Sequence, residues 1–256
     1  LFSFYLNKLN IDDKIISPIS HLGSKLTPGF SGADIANICN EAGILAVREE
    51  RDYLINQDIK DAIDYVMLGA ERDNILSEKE KNIVAYHESG HAILSCILPN
   101  VTNPVKVSII PREKGMLGFS QSEISAELLQ SKNQILDSIC VLMGGRISEE
   151  INCQDITTGA SNDIQKATEL ANNYVKQFGM QDHIFMDLTD QKNQFKSDIS
   201  NELKNKVDAK VLELIEGLYT KTHNILLNNQ EKIEKVKDLL LEKETIYYSD
   251  LETIVN

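Results

Sequence analysis

His87 and His91 lie four residues apart, with Glu88 directly after the first, in a run that is apolar around much of its girth. Ile83, Val84, Ala92, Ile93, Leu94 and Ile97 surround them, and a helix with so little polar face has to be enclosed by other elements. Two imidazoles and a carboxylate enclosed with it need partners, because burying an unpaired polar group is costly. Residues four apart on a helix point the same way, so both imidazoles can grip one zinc ion. The glutamate, one position on from the first histidine, can reach a water instead and serve as general base and then proton donor. Two solvated histidines on an amphipathic helix would be the plain structural alternative, and the apolar neighbours speak against it. Gly90 inside the same helix costs about 1 kcal/mol relative to alanine, which points to another backbone passing close by.

The flanks give this helix its ends. Ser77 and Glu80 have capping-box spacing at its start, and Pro99-Asn100 stop it near Leu98. Val105 to Ile110 is the best strand, Pro111 to Gly115 turn it, and Met116 to Gln121 can return as a second strand. If that return strand is a sheet edge beside the metal, the main chain of Gly118, Phe119 and Ser120 could pair with an extended substrate. Helical spacing resumes with Ile135, Leu136, Ile139, Leu142, Met143 and Ile147, and again with Ile164, Ala167, Ala171, Tyr174, Val175 and Phe178. Residues 187–201 are polar and read as a mobile loop. Two or three amphipathic helices close the chain, carrying Leu203, Val207, Val211, Leu214 and Leu218, then Ile233, Val236 and Leu240. The first seventy-odd residues form a small helical unit. Ser31 and Asp34 cap a helix bearing Ile35, Ile38, Cys39, Ala42, Leu45 and Ala46, and a shorter one bears Ile59, Ala62, Ile63, Val66 and Met67. The pattern breaks over Leu68 to Asn74, so the expected domains are 1–74 and 75–256 and the expected class is mainly α with a small β-sheet.

A catalytic zinc usually has three protein ligands and one open position. No third histidine follows His91 at short range. Asp163 is placed four residues before Ala167 and seven before Leu170, on the inward side of its helix. Two roles fit it: stabilising the N-terminus of that helix, or ligating the metal. Glu149 and Glu150 are the other acidic candidates, either as a solvated helix end or as a carboxylate accepting the free N–H of a ligand histidine. His21, His183 and His223 have no such company. Cys39, Cys96, Cys140 and Cys153 form no C-x-x-C pair and are expected to be reduced thiols. The net charge of -13 argues against nucleic-acid binding and against adhesion to anionic lipid. No apolar run reaches the roughly 20 residues of a membrane helix, and the start, Leu1 to Phe4, reads as that of an excised segment.

With these residues in view the chain resembles the FtsH family of AAA+ zinc proteases from near residue 10 to its end. Thr27 to Asp34 with Asn40 to Ala42 are similar to the lid of the family's ATPase module, and Gly69 to Arg72 to its junction with the protease. Ala85 to His91, Gly144 to Arg146 with Glu149 and Glu150, and Thr158 to Asp163 resemble the protease signatures; Leu240 to Thr245 resembles the C-terminal helix. The resemblance implies that His87, His91 and Asp163 hold one Zn2+ and that Glu88 is the base. It implies that Glu149 supports a ligand histidine, and that Gly32 and Ala33 lie near a bound nucleotide's base. It also implies a zincin-like protease domain, polypeptide substrates, a homohexameric ring, and ATP and Mg2+ used by an upstream ATPase subdomain. Membrane attachment would come only through an upstream segment.

The chain departs from the family in places. It carries no G-x-x-x-x-G-K-[ST] phosphate loop, Asn172-Asn173-Tyr174 replaces an Arg-containing run, and 187–201 follows no family pattern. Two rivals remain open: a peptidase-dead scaffold, and a structural zinc site closed by a cysteine such as Cys96 or Cys153. A mitochondrial or plastid membrane is favoured on the Asn/Lys-rich loops, and a bacterial inner membrane is also consistent.

Overall fold

The computed structural model describes residues 1–9, 13–27, 29–70, 76–112, 117–122, 129–181 and 200–255. Residues 113–115 of the expected turn, Met116, the break at 71–74, His183 and most of 187–201 lie outside them. The chain divides into two compact units, and the described residues are mainly helical with one small antiparallel sheet.

The first unit contains α1 (Phe2–Leu6), α2 (Asp13–Leu26), α3 (Gly32–Arg48) and α4 (Asn56–Leu68). Its third helix starts where Ser31 and Asp34 satisfy each other's backbone N–H in a full capping box. Ile35, Ile38, Cys39, Ala42 and Ala46 line its buried side, with Leu45 partly covered, and they pack with Ile59, Ala62 and Ile63 of α4. Arg51 grips both oxygens of Asp58 at 2.8 and 2.7 Å, while one of them also accepts the Ile55 N–H that opens α4.

The second unit is built around α5 (Glu78–Ile97). Ser77 and Glu80 form the expected capping box, and Leu98 turns extended ahead of Pro99. Every residue from His87 to Ser95 is buried, as the lack of a polar face required. Beside it lie β1 (Pro104–Ser108), β2 (Phe119–Ser122), α6 (Lys132–Cys153), a 3-10 turn (Thr158–Ala160), α7 (Ser161–Lys176), α8 (Asn201–Leu227), α9 (Gln230–Lys243), β3 (Thr245–Tyr247) and α10 (Tyr248–Val255). The sheet order is β2-β1-β3, so among the described residues β2 is an edge strand. Gly90 meets Gly144: a Cβ on Gly90 would sit 2.5 Å from the Gly144 carbonyl oxygen. The bare faces of these glycines let α5 and α6 cross at backbone distance.

Several expectations need correction. Ile164 and Phe178 are exposed, and Phe178 lies beyond the end of α7. The 187–201 loop does not extend to its expected end, because Ser200 caps α8 and Asn201 begins it. The helix carrying Leu240 stops at Lys243; Glu244 adopts a left-handed conformation, and Thr245 enters a strand that pairs with β1 before α10.

Candidate active site

Three helices deliver the polar cluster. His87 and His91 come from consecutive turns of α5, Glu149 from the C-terminal half of α6, and Asp163 from the first turn of α7. The 3-10 turn sets the entry of α7: Thr157 accepts the Gly159 N–H through its side chain, and Ala160 is fully buried. The carboxylate of Asp163 reaches away from its own helix end toward both imidazoles.

The two histidines are oriented from behind. His87 Nδ1 lies 2.6 Å from Glu149 Oε1, and His91 Nδ1 lies 2.7 Å from the Val141 carbonyl oxygen. Both partners are acceptors, so each Nδ1 carries the proton and each Nε2 presents a lone pair. Glu149 is 1% exposed, and its second oxygen accepts the Thr157 N–H at 2.8 Å. One buried carboxylate thus ties His87 to the segment leading to Asp163. Glu150 does the opposite: it is exposed and takes a hydrogen bond from the Tyr219 hydroxyl.

In front, three electron-rich atoms converge. His87 Nε2 and His91 Nε2 are 3.1 Å apart, and Asp163 Oδ2 is 3.3 and 3.5 Å from them. Lone pairs packed this closely repel unless a cation or a proton lies among them. A tetrahedral zinc ion with bonds of about 2.0–2.1 Å needs ligand atoms roughly 3.3–3.4 Å apart, so the donor set fits that ion. A Cβ on Gly145 would fall 2.4 Å from His87 Nε2 and 2.6 Å from His91 Nε2, so only glycine leaves this space open. Among the described residues no other group of histidine, cysteine and carboxylate donors converges in this way, and Cys96 and Cys153 take no part.

Electrostatics follow from the same contacts. Burial works against charge on His87, yet hydrogen bonds with Asp163 and Glu149 outweigh it and raise its pKa. For Asp163 burial is likewise the larger single effect, and the two imidazoles together overcome it and hold the carboxylate far below its usual range. Glu88 runs the other way: full burial raises its pKa, with the histidines pulling back. Its Oε2 is buried and finds no hydrogen-bond partner among the described residues. A carboxylate held dry beside such a donor cluster could exchange protons with a water there.

Gly118, just ahead of β2, borders this site, and Phe119 and Ser120 follow it in the strand. Gly118 abuts the Glu88 carboxylate, the Phe119 ring is buried, and the Ser120 hydroxyl oxygen is buried. Gly32 and Ala33 open α3 of the first unit. Three contributors escaped the sequence reading: the Val141 carbonyl, the Thr157 N–H, and the bareness of Gly145. The first two are backbone groups with no residue-type signal. A Gly-Gly pair on an otherwise ordinary helix was the only available sign of the third.

The protein-family model for peptidase family M41 matches residues 74–254, and that for the AAA+ lid domain matches 21–61. The chain is 39% identical over 266 residues to the ATP-dependent zinc metalloprotease FtsH 3 of Petrotoga mobilis, covering 97% of this chain and 40% of that protein. It is 36% identical over 255 residues to the mitochondrial ATP-dependent zinc metalloprotease FTSH 8 of Oryza sativa subsp. japonica, covering 98% and 31%. Against the ATP-dependent zinc metalloprotease FtsH of Thermotoga maritima the identity is 37% over 249 residues, covering 91% and 40%. The chain therefore spans well under half the length of these relatives.

Proposed function

This chain belongs to peptidase family M41, and we propose from that premise that it hydrolyses peptide bonds at a zinc centre held by His87, His91 and Asp163. The observation that carries the reading is the convergence of their three lone-pair atoms within 3.1–3.5 Å, beside a buried carboxylate with an unpartnered oxygen. Zinc bound there would polarise a substrate carbonyl and acidify a water. Glu88 takes the proton from the attacking water and returns it to the leaving amine. Glu149 and the Val141 carbonyl keep both Nε2 atoms turned inward, and Gly145 keeps the space before them clear. An extended polypeptide would lie along the edge strand β2 through the main chain of Gly118, Phe119 and Ser120, gaining affinity with little side-chain choice.

Residues 1–74 are then the lid of an AAA+ ATPase module, with Gly32 and Ala33 near the nucleotide base, and 75–256 the protease. The whole protein would be a membrane-anchored, ATP-dependent homohexamer in protein quality control, degrading unfolded or membrane polypeptides processively. A mitochondrial or plastid membrane is favoured over a bacterial inner membrane. No described helix is long and apolar enough to cross a bilayer. Casein hydrolysis by the full-length protein, before and after chelation and after return of zinc, tests the reading. Cleavage that survives complete removal of the metal would overturn it.

A further inference from the structure

We propose that Gly118 is a positioning residue for Glu88: the missing side chain at 118 sets where the base carboxylate rests. The inference rests on the reading of Glu88 as the base. A Cβ built on Gly118 would lie 2.7 Å from Glu88 Oε1, 2.8 Å from Glu88 Cγ and 3.0 Å from the Ser108 carbonyl oxygen. Gly118 does not have the positive φ that demands glycine; that conformation is confined, among the described glycines, to Gly29, Gly69 and Gly179. What requires glycine here is the contact and not the backbone.

The carboxylate has little else to hold it. Glu88 is 5% exposed and its Oε2 lacks a hydrogen-bond partner among the described residues, so packing decides its place. One wall of that packing is the β2 end of the sheet. The strand cannot retreat freely, because Phe119 pairs with Ser108 and Ser120 with Val107 of β1, which is itself paired with β3. An added methyl must therefore be absorbed mainly by Glu88, whose side chain can swing from Cγ outward while its Cα stays fixed in the middle of α5, the Ser108 carbonyl giving by a few tenths of an ångström at most. The strand proposed to dock substrate would thus also aim the base, so both sit at one fixed offset.

The test is a double-mutant cycle in the full-length protein, with kcat and KM for casein cleavage and zinc content measured on each variant. Gly118→Ala should retain about one zinc per chain and leave KM within a small factor. Its kcat should fall by up to about 100-fold, as misplacing a reacting group by about 1 Å does. In the Glu88→Asp background, whose shorter side chain draws the carboxylate back from Gly118, the same Gly118→Ala change should cost little further. Equal losses in both backgrounds, or a rise in KM alone, would show that 118 acts on substrate docking and would overturn the proposal. Full activity of Gly118→Ala would overturn it too, while leaving the proteolytic reading intact as long as the parent protein cleaves. Should Gly118→Ala fail to fold, recovery of folding in the double variant would support the contact, and failure of both would overturn it.

Discussion

Glu149 Oε1 sits 2.6 Å from His87 Nδ1 while the opposite nitrogen of the same ring faces His91 and Asp163. The carboxylate therefore works on the far side of the imidazole from the convergence point. Glu149→Gln keeps an acceptor for Nδ1–H but loses the charge that makes the ring a stronger donor to metal. Zinc affinity should weaken by roughly 10- to 100-fold with proteolysis recovered at high zinc, as loss of such supports does. Competition with a chelator of known affinity measures it.

Asp163→Asn removes the third lone-pair donor, since a neutral amide is a poor zinc ligand. Most bound zinc should be lost, and with it casein hydrolysis, while far-UV circular dichroism stays helical. Full zinc in this variant together with loss of zinc in Glu149→Gln would reverse the two assignments.

Gly90→Ala should destabilise the protein although alanine is the better helix former. The new Cβ would meet the Gly144 carbonyl at 2.5 Å and the Ser148 Cβ at 2.7 Å. Overpacking of about 1–3 kcal/mol then exceeds the roughly 1 kcal/mol gained in helix propensity. Differential scanning calorimetry should show a melting temperature lowered by a few degrees; an unchanged or raised value would mean that α5 and α6 have room for a methyl group at their crossing.

Acid should weaken the first unit through Asp58. Burial opposes its charge, but the Arg51 guanidinium and the Ile55 N–H outweigh that and lower its pKa. A carboxyl depressed in the native state contributes stability that is full above its unfolded pKa, near 4, and is lost as pH falls through the native value. Asp58→Ala should thus melt earlier than wild type at pH 7, and the gap should narrow below pH 4. A gap that stays constant down to pH 2 would assign the role to packing alone.

Much of this was legible in residue order because local chemistry and global packing agree. The capping residues Ser31 and Ser77 mark real helix starts, and the all-round apolar girth of α5 is its burial at the centre of the second unit. Gly90 inside that helix announced a close backbone, which is Gly144. What stayed hidden is non-local. Thr245–Tyr247 is a strand only because β1 offers it a partner, and three residues are too few to show a period. Ile164 and Phe178 sit at helical spacing with Ala167 and Tyr174, yet the packing covers only the latter pair. Glu149 and Glu150 are chemically equivalent in sequence; one helical position sends the first to His87 and the second to the exposed side, where it meets the Tyr219 hydroxyl. Spacing alone left Asp163 between two roles, and the distances to both Nε2 atoms favour the ligand.

The most direct test of the central claim is paired metal analysis and casein hydrolysis on Glu88→Gln. The substitution removes the proposed proton carrier and leaves His87, His91 and Asp163 in place. The account predicts hydrolysis abolished with zinc still near one per chain. Zinc lost along with activity would make Glu88 a ligand, and activity retained would remove it from the chemistry; either result would contradict the assignment.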